Sequence, residues 1–402
     1  MKILILGGDG FCGWPTALHL SSNGHEITIV DNFSRRQIDV DLGVLSLTPI
    51  HSLARRIHRW KRLTGRELGF HHLNIAEDYE GLVSVLVAER PDAIIHFAEQ
   101  RAAPYSMKSA HHKNYTVRNN VCGTEHVLNA IVETDPSIHL VHLGTMGVYG
   151  YGGAEVPLPD GYLPVFIPAA GGDLKRQEIV YPSEPGSVYH LTKVLDHHVF
   201  QYYARNDKIP ITDLHQGIVW GTQTPETALH PELINRFDYD GDYGTVLNRF
   251  LVQSAIGHPL TVHGTGGQTR AFIHITDTVR CIELAVQTPP ARGDRVRVAN
   301  QMAETRQVRE LAEMIAVRTG SEIAYVDNPR NEAADNALSV QNDVLRDLGW
   351  EPVLLEDGLL EEVEDIARSY QARCNASKIP ATATWTRASM PGAPCVLPDA
   401  AE

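Results

Sequence analysis

Short, continuous apolar runs punctuate the first half of the chain. Lys2-Ile3-Leu4-Ile5-Leu6 enters a glycine-rich stretch, and Glu26-Ile27-Thr28-Ile29-Val30 ends at Asp31. Runs of this length bounded by Gly and Asp read as strands buried on both faces, the pattern of a parallel sheet. Ala93-Ile94-Ile95-His96-Phe97-Ala98 and Ile138-His139-Leu140-Val141-His142-Leu143 repeat the pattern, with helix-length segments between. Alternation of this kind through about residue 220 predicts an α/β fold with a doubly wound parallel sheet. Beyond that point Gly and Pro break the periodicity, which predicts a smaller C-terminal lobe. The expected division is 1–213 for a cofactor domain and 214–380 for a mainly substrate lobe with interleaved crossings. Residues 381–402 mix Ala, Pro and Thr without periodicity and read as a tail. The stretch 150–185, with Gly152-Gly153 and Gly171-Gly172, reads as a mobile loop.

Composition narrows the class. The chain has 402 residues and a formal net charge of −14, which argues against nucleic acid or an anionic membrane as partner. No apolar run approaches the roughly 18 residues of a membrane helix, and a strand starting at residue 2 leaves no room for a signal segment. A cytoplasmic protein is expected. Five cysteines without C-x-x-C spacing suit a reducing compartment. The pairs His71-His72, His111-His112 and His197-His198 point to different faces without metal-ligand spacing, so no metal is expected.

Candidate chemistry starts at the first glycines. Gly7, Gly10 and Gly13 make a G-x-x-G-x-x-G spacing between strand and helix, suited to a tight turn, close approach to a pyrophosphate and close helix packing. Asp31 stands at the end of the second strand, where a carboxylate accepts from ribose hydroxyls and repels a 2′-phosphate. NAD is therefore expected over NADP, although Arg35 and Arg36 stand close by. Tyr189 and Lys193 lie four residues apart and so share one helix face. A phenol and an ammonium placed together can move a proton while a cofactor takes a hydride, so the chain reads as an enzyme that oxidises an alcohol.

This arrangement resembles the extended short-chain dehydrogenase/reductases, which bind NAD in the N-terminal lobe and a nucleotide sugar between lobes. The resemblance makes Tyr189 the base, Lys193 the group that favours its phenolate, and Thr145 in Thr145-Met146-Gly147-Val148-Tyr149-Gly150 the group that holds the same hydroxyl. It also implies a cofactor pocket of Gly7, Gly10, Phe11, Cys12, Gly13, Asp31, Asn32, Arg35, Asn74 and Ile75 with Tyr189 and Lys193. Nucleotide-sugar 4,6-dehydratases carry Asp-Glu after the threonine, whereas Met146 and Gly147 stand here.

More specific stretches resemble one branch, the UDP-sulfoquinovose synthases. They include Gly8-Asp9-Gly10-Phe11-Cys12-Gly13-Trp14, Glu99-Gln100-Arg101-Ala102-Ala103-Pro104-Tyr105-Ser106-Met107, Asp213-Leu214-His215-Gln216-Gly217 and Gly267-Gln268-Thr269-Arg270. The resemblance implies oxidation of UDP-glucose at C4, loss of water across C5 and C6, sulfite addition at C6 and return of the hydride. Arg101, flanked by Gln100 and Ser106, is the candidate sulfite ligand, since a guanidinium fork matches an oxyanion. Against that stands a pairing of Arg101 with Glu99 or a cofactor phosphate. Arg249 and Arg270 suit the diphosphate, and Gln216, Thr245 and Gln268 lie in the same substrate motifs. Asn119 holds either backbone or substrate. His190 is a candidate proton shuttle with an unperturbed pKa of about 6.5, or equally a buried, satisfied histidine. Val148 stands where the synthases usually carry Glu, and Asn74 where an aspartate usually meets adenine. Two further readings stay open: a nucleotide-sugar 4-epimerase or dehydratase, and a non-catalytic NAD-binding scaffold. The resemblance also implies a homodimer, with Val194, Leu195, Val199 and Tyr203 available for pairing.

Overall fold

In the computed structural model, which describes residues 1–150, 157–330, 332–383 and 385, the buried runs pair into one sheet. Strands β1 (Lys2–Leu6), β2 (Glu26–Asp31), β3 (Leu68–His72), β4 (Ala93–His96) and β5 (His139–Thr145) join strands Ile211–Gln216 and Arg297–Gln301. All seven are parallel, in the spatial order Arg297–Gln301, Ile211–Gln216, β5, β4, β1, β2, β3. This is the doubly wound sheet expected from the sequence. Its order reverses between β1 and β4, and open sheets of this kind bind ligands in the crevice at that switch point.

The inner strands lack an exposed face because both faces are covered, and only the edge strand β3 shows one, at Phe70 and His72. Ile3 and Ile5 of β1 pack with Trp14, Ala17 and Leu18 of helix α1 (Gly13–Ser22) on one side. Leu4 and Leu6 pack with Ile94, Val127, Leu128 and Leu140 on the other. Every second residue thus feeds a different core, so a continuous apolar run replaces alternation.

A second core lies C-terminal, where Phe237, Tyr239, Phe250, Phe272, Leu311 and Val363 gather around helices Val246–Ala255, Val308–Thr319 and Leu359–Tyr370. Strand Gly267–His274 pairs parallel with Ile218–Trp220 and antiparallel with Glu304–Gln307. Between these strands the chain returns to the first core through helix Ile275–Gln287 and strand Arg297–Gln301.

Residues 162–180 depart from the expected mobile loop. Strands Tyr162–Pro168 and Leu174–Val180 form an antiparallel hairpin, closed by a turn in which Gly171 and Gly172 take φ of 119° and 91°. The hairpin projects with Phe166 and Leu174 exposed, so no buried face imposed a readable alternation, and Pro164 and Pro168 masked the strand. Gly152-Gly153 and, apart from Ala381–Ala383 and Trp385, the tail lie outside the described residues. No helix among the described residues is long and apolar enough to cross a membrane.

Candidate active site

A cavity of about 360 Å³ opens at the switch point, lined from both lobes. Its floor is the glycine loop after β1. Gly7 has φ 84°, and a Cβ there would lie 2.8 Å from the backbone of Phe97 and Ala98. At Gly13 a Cβ would come within 2.2 Å of the Gly7 carbonyl oxygen, so only glycine lets α1 settle onto the loop. Gly10, Phe11 and Cys12 line the same wall, and burial pushes the Cys12 thiol up to about 12, leaving it unreactive.

Asp31 lies at the end of β2 on the cavity wall. Its Oδ2 accepts from Asp9 N at 2.8 Å and its Oδ1 from Phe33 N at 2.7 Å, each oxygen keeping a lone pair for a ribose hydroxyl. Burial, then the nearby Asp9 charge, pushes its carboxyl up to about 6. The two arginines that clouded the cofactor expectation are engaged elsewhere. Arg36 Nη2 donates to Asp9 Oδ1 at 2.9 Å, and Arg35 pairs with Asp39 and, at 3.2 Å, with Asp238. Asp9 is itself braced by the buried Arg56 at 3.0 Å, whose guanidinium lies 3.9 Å over the Trp14 ring. Sequence reasoning missed Asp9, because only the fold brings residues 9, 36 and 56 together. Asn32 Oδ1 accepts from Ser34 N and Asn74 Oδ1 from Ala76 N, and both residues line the cavity with Ile75. The glycine cradle and a ribose-accepting carboxylate at its edge fit a dinucleotide.

Helix Val188–Asn206 carries Tyr189 and Lys193 to the opposite wall, its first turn capped by Ser187, which accepts from His190 N at 3.2 Å. Thr145 ends β5 and accepts from Gly147 N at 3.1 Å, leaving its own proton to donate. All three line the cavity. Lys193 is 4% exposed and pairs with Glu99, and its Nζ also donates to Leu143 O at 2.7 Å. Burial brings the ammonium down to about 8, opposed by Asp196 and Asp213.

Gly147 stands where a dehydratase has an acid, and a Cβ there would collide with the His190 ring at 2.3 Å. The ring fills that space. Burial, then Arg330 and Arg270, lower His190 to about 3, so it is a neutral imidazole at pH 7 rather than the unperturbed shuttle expected. Val148 is buried with Met146, Tyr149, Leu158, Ala271 and Met302, behind the cavity wall.

The expected substrate residues divide into two groups. Gln100 is buried, with Nε2 donating to Ala102 O and Thr116 Oγ1, both at 3.0 Å. Ser106 Oγ donates to Ala103 O and accepts from Tyr189 N at 3.2 Å, which ties the loop to the Tyr189 helix. Asn120 clips the same loop by bonding both backbone groups of Gln100, while its neighbour Asn119 lines the cavity. Arg101 pairs with Asp238 rather than with Glu99, and its guanidinium lies 5.4 Å from the ring of Phe11 on the glycine loop. Its Nη2 donates to Asp238 Oδ2 at 2.7 Å, a carboxylate also paired with Arg236 at 3.0 Å and Arg35 at 3.2 Å. Gln216 donates to Thr278 Oγ1 at 3.2 Å, and Arg270 pairs with Glu332 at 2.5 Å. Thr245 Oγ1, Arg249 Nε and Gln268 Nε2 are buried and find no protein partner among the described residues, a set suited to a polar ligand.

Comparison with known proteins agrees with this geometry. Residues 3–299 match the model of the NAD dependent epimerase/dehydratase family. A chloroplastic UDP-sulfoquinovose synthase from Spinacia oleracea is 43% identical over 392 residues, 96% of this chain and 79% of that protein. A UDP-sulfoquinovose synthase from Sulfolobus acidocaldarius is 39% identical over 357 residues, 88% of each chain. The fold is similar to that of a UDP-glucuronic acid 4-epimerase from Bacillus cereus, solved with UDP-glucuronic acid and NAD. That likeness has a TM-score of 0.66 at 20% identity and covers 92% of this chain and 99% of that one.

Proposed function

The chain belongs to the NAD dependent epimerase/dehydratase family and, within it, to the UDP-sulfoquinovose synthases, and from that premise we propose that it converts UDP-glucose and sulfite to UDP-sulfoquinovose. It is an NAD-dependent enzyme that acts on a nucleotide sugar. The glycine loop and Asp31 would hold NAD, which would supply the acceptor, and later the donor, of the C4 hydride. In this reading residues 1–213 form the cofactor lobe and 214–380 mainly the sugar lobe, with helix Ile275–Gln287 and strand Arg297–Gln301 crossing back to the cofactor side.

Tyr189 takes the C4 hydroxyl proton as phenolate while Thr145 donates a hydrogen bond to the same oxygen, and the Lys193 ammonium one helical turn away favours the phenolate. The resulting 4-ketone acidifies the C5 hydrogen. Loss of that proton and of the C6 hydroxyl as water leaves a conjugated 5,6-ene. The sulfite sulfur then adds to C6, a proton returns to C5, and Tyr189 returns its proton to the C4 oxygen. Arg101 is the proposed sulfite ligand. Because Asp238 is shared among three guanidinium groups, Arg101 is not neutralised one for one and keeps attraction for an anion. Arg249 and Arg270 are proposed for the diphosphate, with Gln216, Thr245 and Gln268 contacting sugar or base.

The observation that carries this reading is the convergence of Thr145, Tyr189, Lys193 and Arg101 on one cavity. The test is mass spectrometry after incubation with UDP-glucose and sulfite, with a sulfite-free arm in deuterated water. A sulfite-dependent sulfonated UDP-hexose is expected. Its absence, with UDP-galactose formed or deuterium at C5, would transfer the chain to the epimerase or dehydratase reading, for which the family model also speaks.

A homodimer in the cytoplasm belongs to the same proposal. Val194, Val199 and Tyr203 pack against the chain's own cores, so pairing would use Leu191, Leu195 and Tyr202, which are exposed along one helix. Light scattering coupled to size exclusion gives the mass directly.

A further inference from the structure

Beneath Lys193 lies a buried group of imidazoles and carboxylates that the proposed chemistry leaves unused, and hydrogen-bond accounting fixes its protons. Asn300 Nδ2 donates to Pro159 O at 2.9 Å and Gln341 O at 2.8 Å, which turns Oδ1 toward the Tyr149 hydroxyl, 2.9 Å away. An amide oxygen only accepts, so the Tyr149 proton lies on that bond. The phenol oxygen then offers only lone pairs to His215 Nδ1 at 2.7 Å, and Nδ1 must carry a hydrogen. Nε2 of the same ring lies 3.0 Å from Asp213 Oδ2, which also only accepts. His215 is therefore an imidazolium, its charge paired with Asp213.

Asp213 further accepts from His197 Nδ1 at 3.1 Å and from His142 Nδ1 at 2.8 Å. With its hydrogen on Nδ1, neutral His142 presents a bare Nε2 lone pair to Lys193 Nζ, 3.0 Å away and nearer than the Glu99 oxygen at 3.4 Å. Lys193 has three N–H donors, and Glu99, Leu143 O and His142 Nε2 receive one each. A protonated His142 would set two cations nitrogen to nitrogen.

We infer that His142, held by Asp213 in the tautomer that accepts at Nε2, is a positioning residue for Lys193, with the His215 imidazolium as the fixed counter-charge that keeps Asp213 ionised. The inference rests on Tyr189 and Lys193 being the catalytic pair. Burial would raise Asp213, but His215, His142 and His197 together hold its carboxyl well below the usual range. The charged and titratable groups facing Lys193 are Glu99 and His96 from the β4 end, His142 from β5, Asp213 from the next strand, and Asp196 and Tyr189 on its own helix. The donor atoms of His197, Asp213 and His215 lie within 4.8 Å of one another, close enough for a metal ion, yet a protonated Nε2 on His215 has no lone pair to give one.

The kinetic test compares His142→Phe with His142→Gln, which restores an acceptor. His142→Phe is expected to lower kcat by about 100-fold, the lower end of what a positioned proton-transfer group contributes, with little change in KM for UDP-glucose. It should also move the alkaline limb of kcat, where Lys193 loses its proton near pH 8, to lower pH, because the ammonium loses an acceptor. His142→Gln should recover most of both. A structural defect alone would not move that limb and return it. The second test is nitrogen-15 NMR of histidine-labelled protein at pH 7, with signals assigned by their loss in His142→Gln and His215→Gln. A neutral Nδ1–H ring at 142 and a doubly protonated ring at 215 support the inference, and they do so even if wild-type protein forms no sulfonate, a result that would count against the proposed reaction alone. A neutral His215, an Nε2–H tautomer at His142, a stoichiometric bound metal, or a His142→Phe enzyme with unchanged kcat and limb would overturn it.

Discussion

At the scale of single residues the site depends on which charges are already paired. Arg35 and Arg36 stand beside Asp31 in sequence as if to receive a 2′-phosphate, yet Asp9, Asp39 and Asp238 hold both. Asp31→Ser is accordingly expected to weaken NAD by about tenfold or more, the loss of hydrogen bonds to a charged acceptor, without a matching gain for NADP. Titration of both cofactors by fluorescence quenching measures this. Tyr189→Phe removes the proton acceptor and keeps the ring, so kcat should fall by about 10²–10⁴-fold while NAD affinity stays near wild type. Only an unchanged biological effect of that variant, with turnover lost, would revive the scaffold reading. The glycine loop, Asp31, Tyr189 and Lys193 were legible from their spacing along the chain and Thr145 only through the family resemblance, and the fold brings all of them to one cavity. His142, Asp9 and Asp238 were not legible, since each acts through partners distant in sequence.

Helix α1 is fixed at both ends. Its start rests on the glycine loop through Gly13, and near its end His19 bridges Glu226 at 3.0 Å and Glu283 at 2.9 Å, tying α1 to helix Ile275–Gln287. Burial opposes the His19 charge, but the two glutamates prevail and raise its pKa to about 9. A group raised on folding stabilises fully below its unfolded pKa of 6.5, and that contribution disappears as pH rises through about 9. The shift corresponds to about 3 kcal/mol as an upper bound. Urea unfolding should find His19→Gln clearly less stable than wild type at pH 6, with the gap narrowing by pH 9.5. An equal gap at both values would refute the linkage. At this scale strands β1, β2, β4 and β5 were readable from their apolar runs, whereas the helices beyond residue 220 and strand Arg297–Gln301 were not. Nor was the hairpin at 162–180, because strands with no core face carry no hydrophobic alternation.

Over the whole molecule, the chain does not divide at a single point. Strand Arg297–Gln301 pairs with Ile211–Gln216 in the main sheet, and Cys281, Ile282, Ala285, Ala299, Leu345 and Trp350 complete the first core. A fragment of residues 1–213 would end inside strand Ile211–Gln216 and uncover apolar surface that these residues bury. It is expected to lack the cooperative thermal transition of the full chain, followed by circular dichroism, and a sharp two-state melt would contradict this. The sequence alone determined the parallel sheet, the dinucleotide loop and the tyrosine–lysine pair, since each rests on a period or spacing within some thirty residues that local backbone geometry converts into structure. Only the tertiary structure decided which charges neutralise one another, where the last strand returns, and what stands behind Lys193, because those depend on pairings across 50 to 200 residues that no local period encodes.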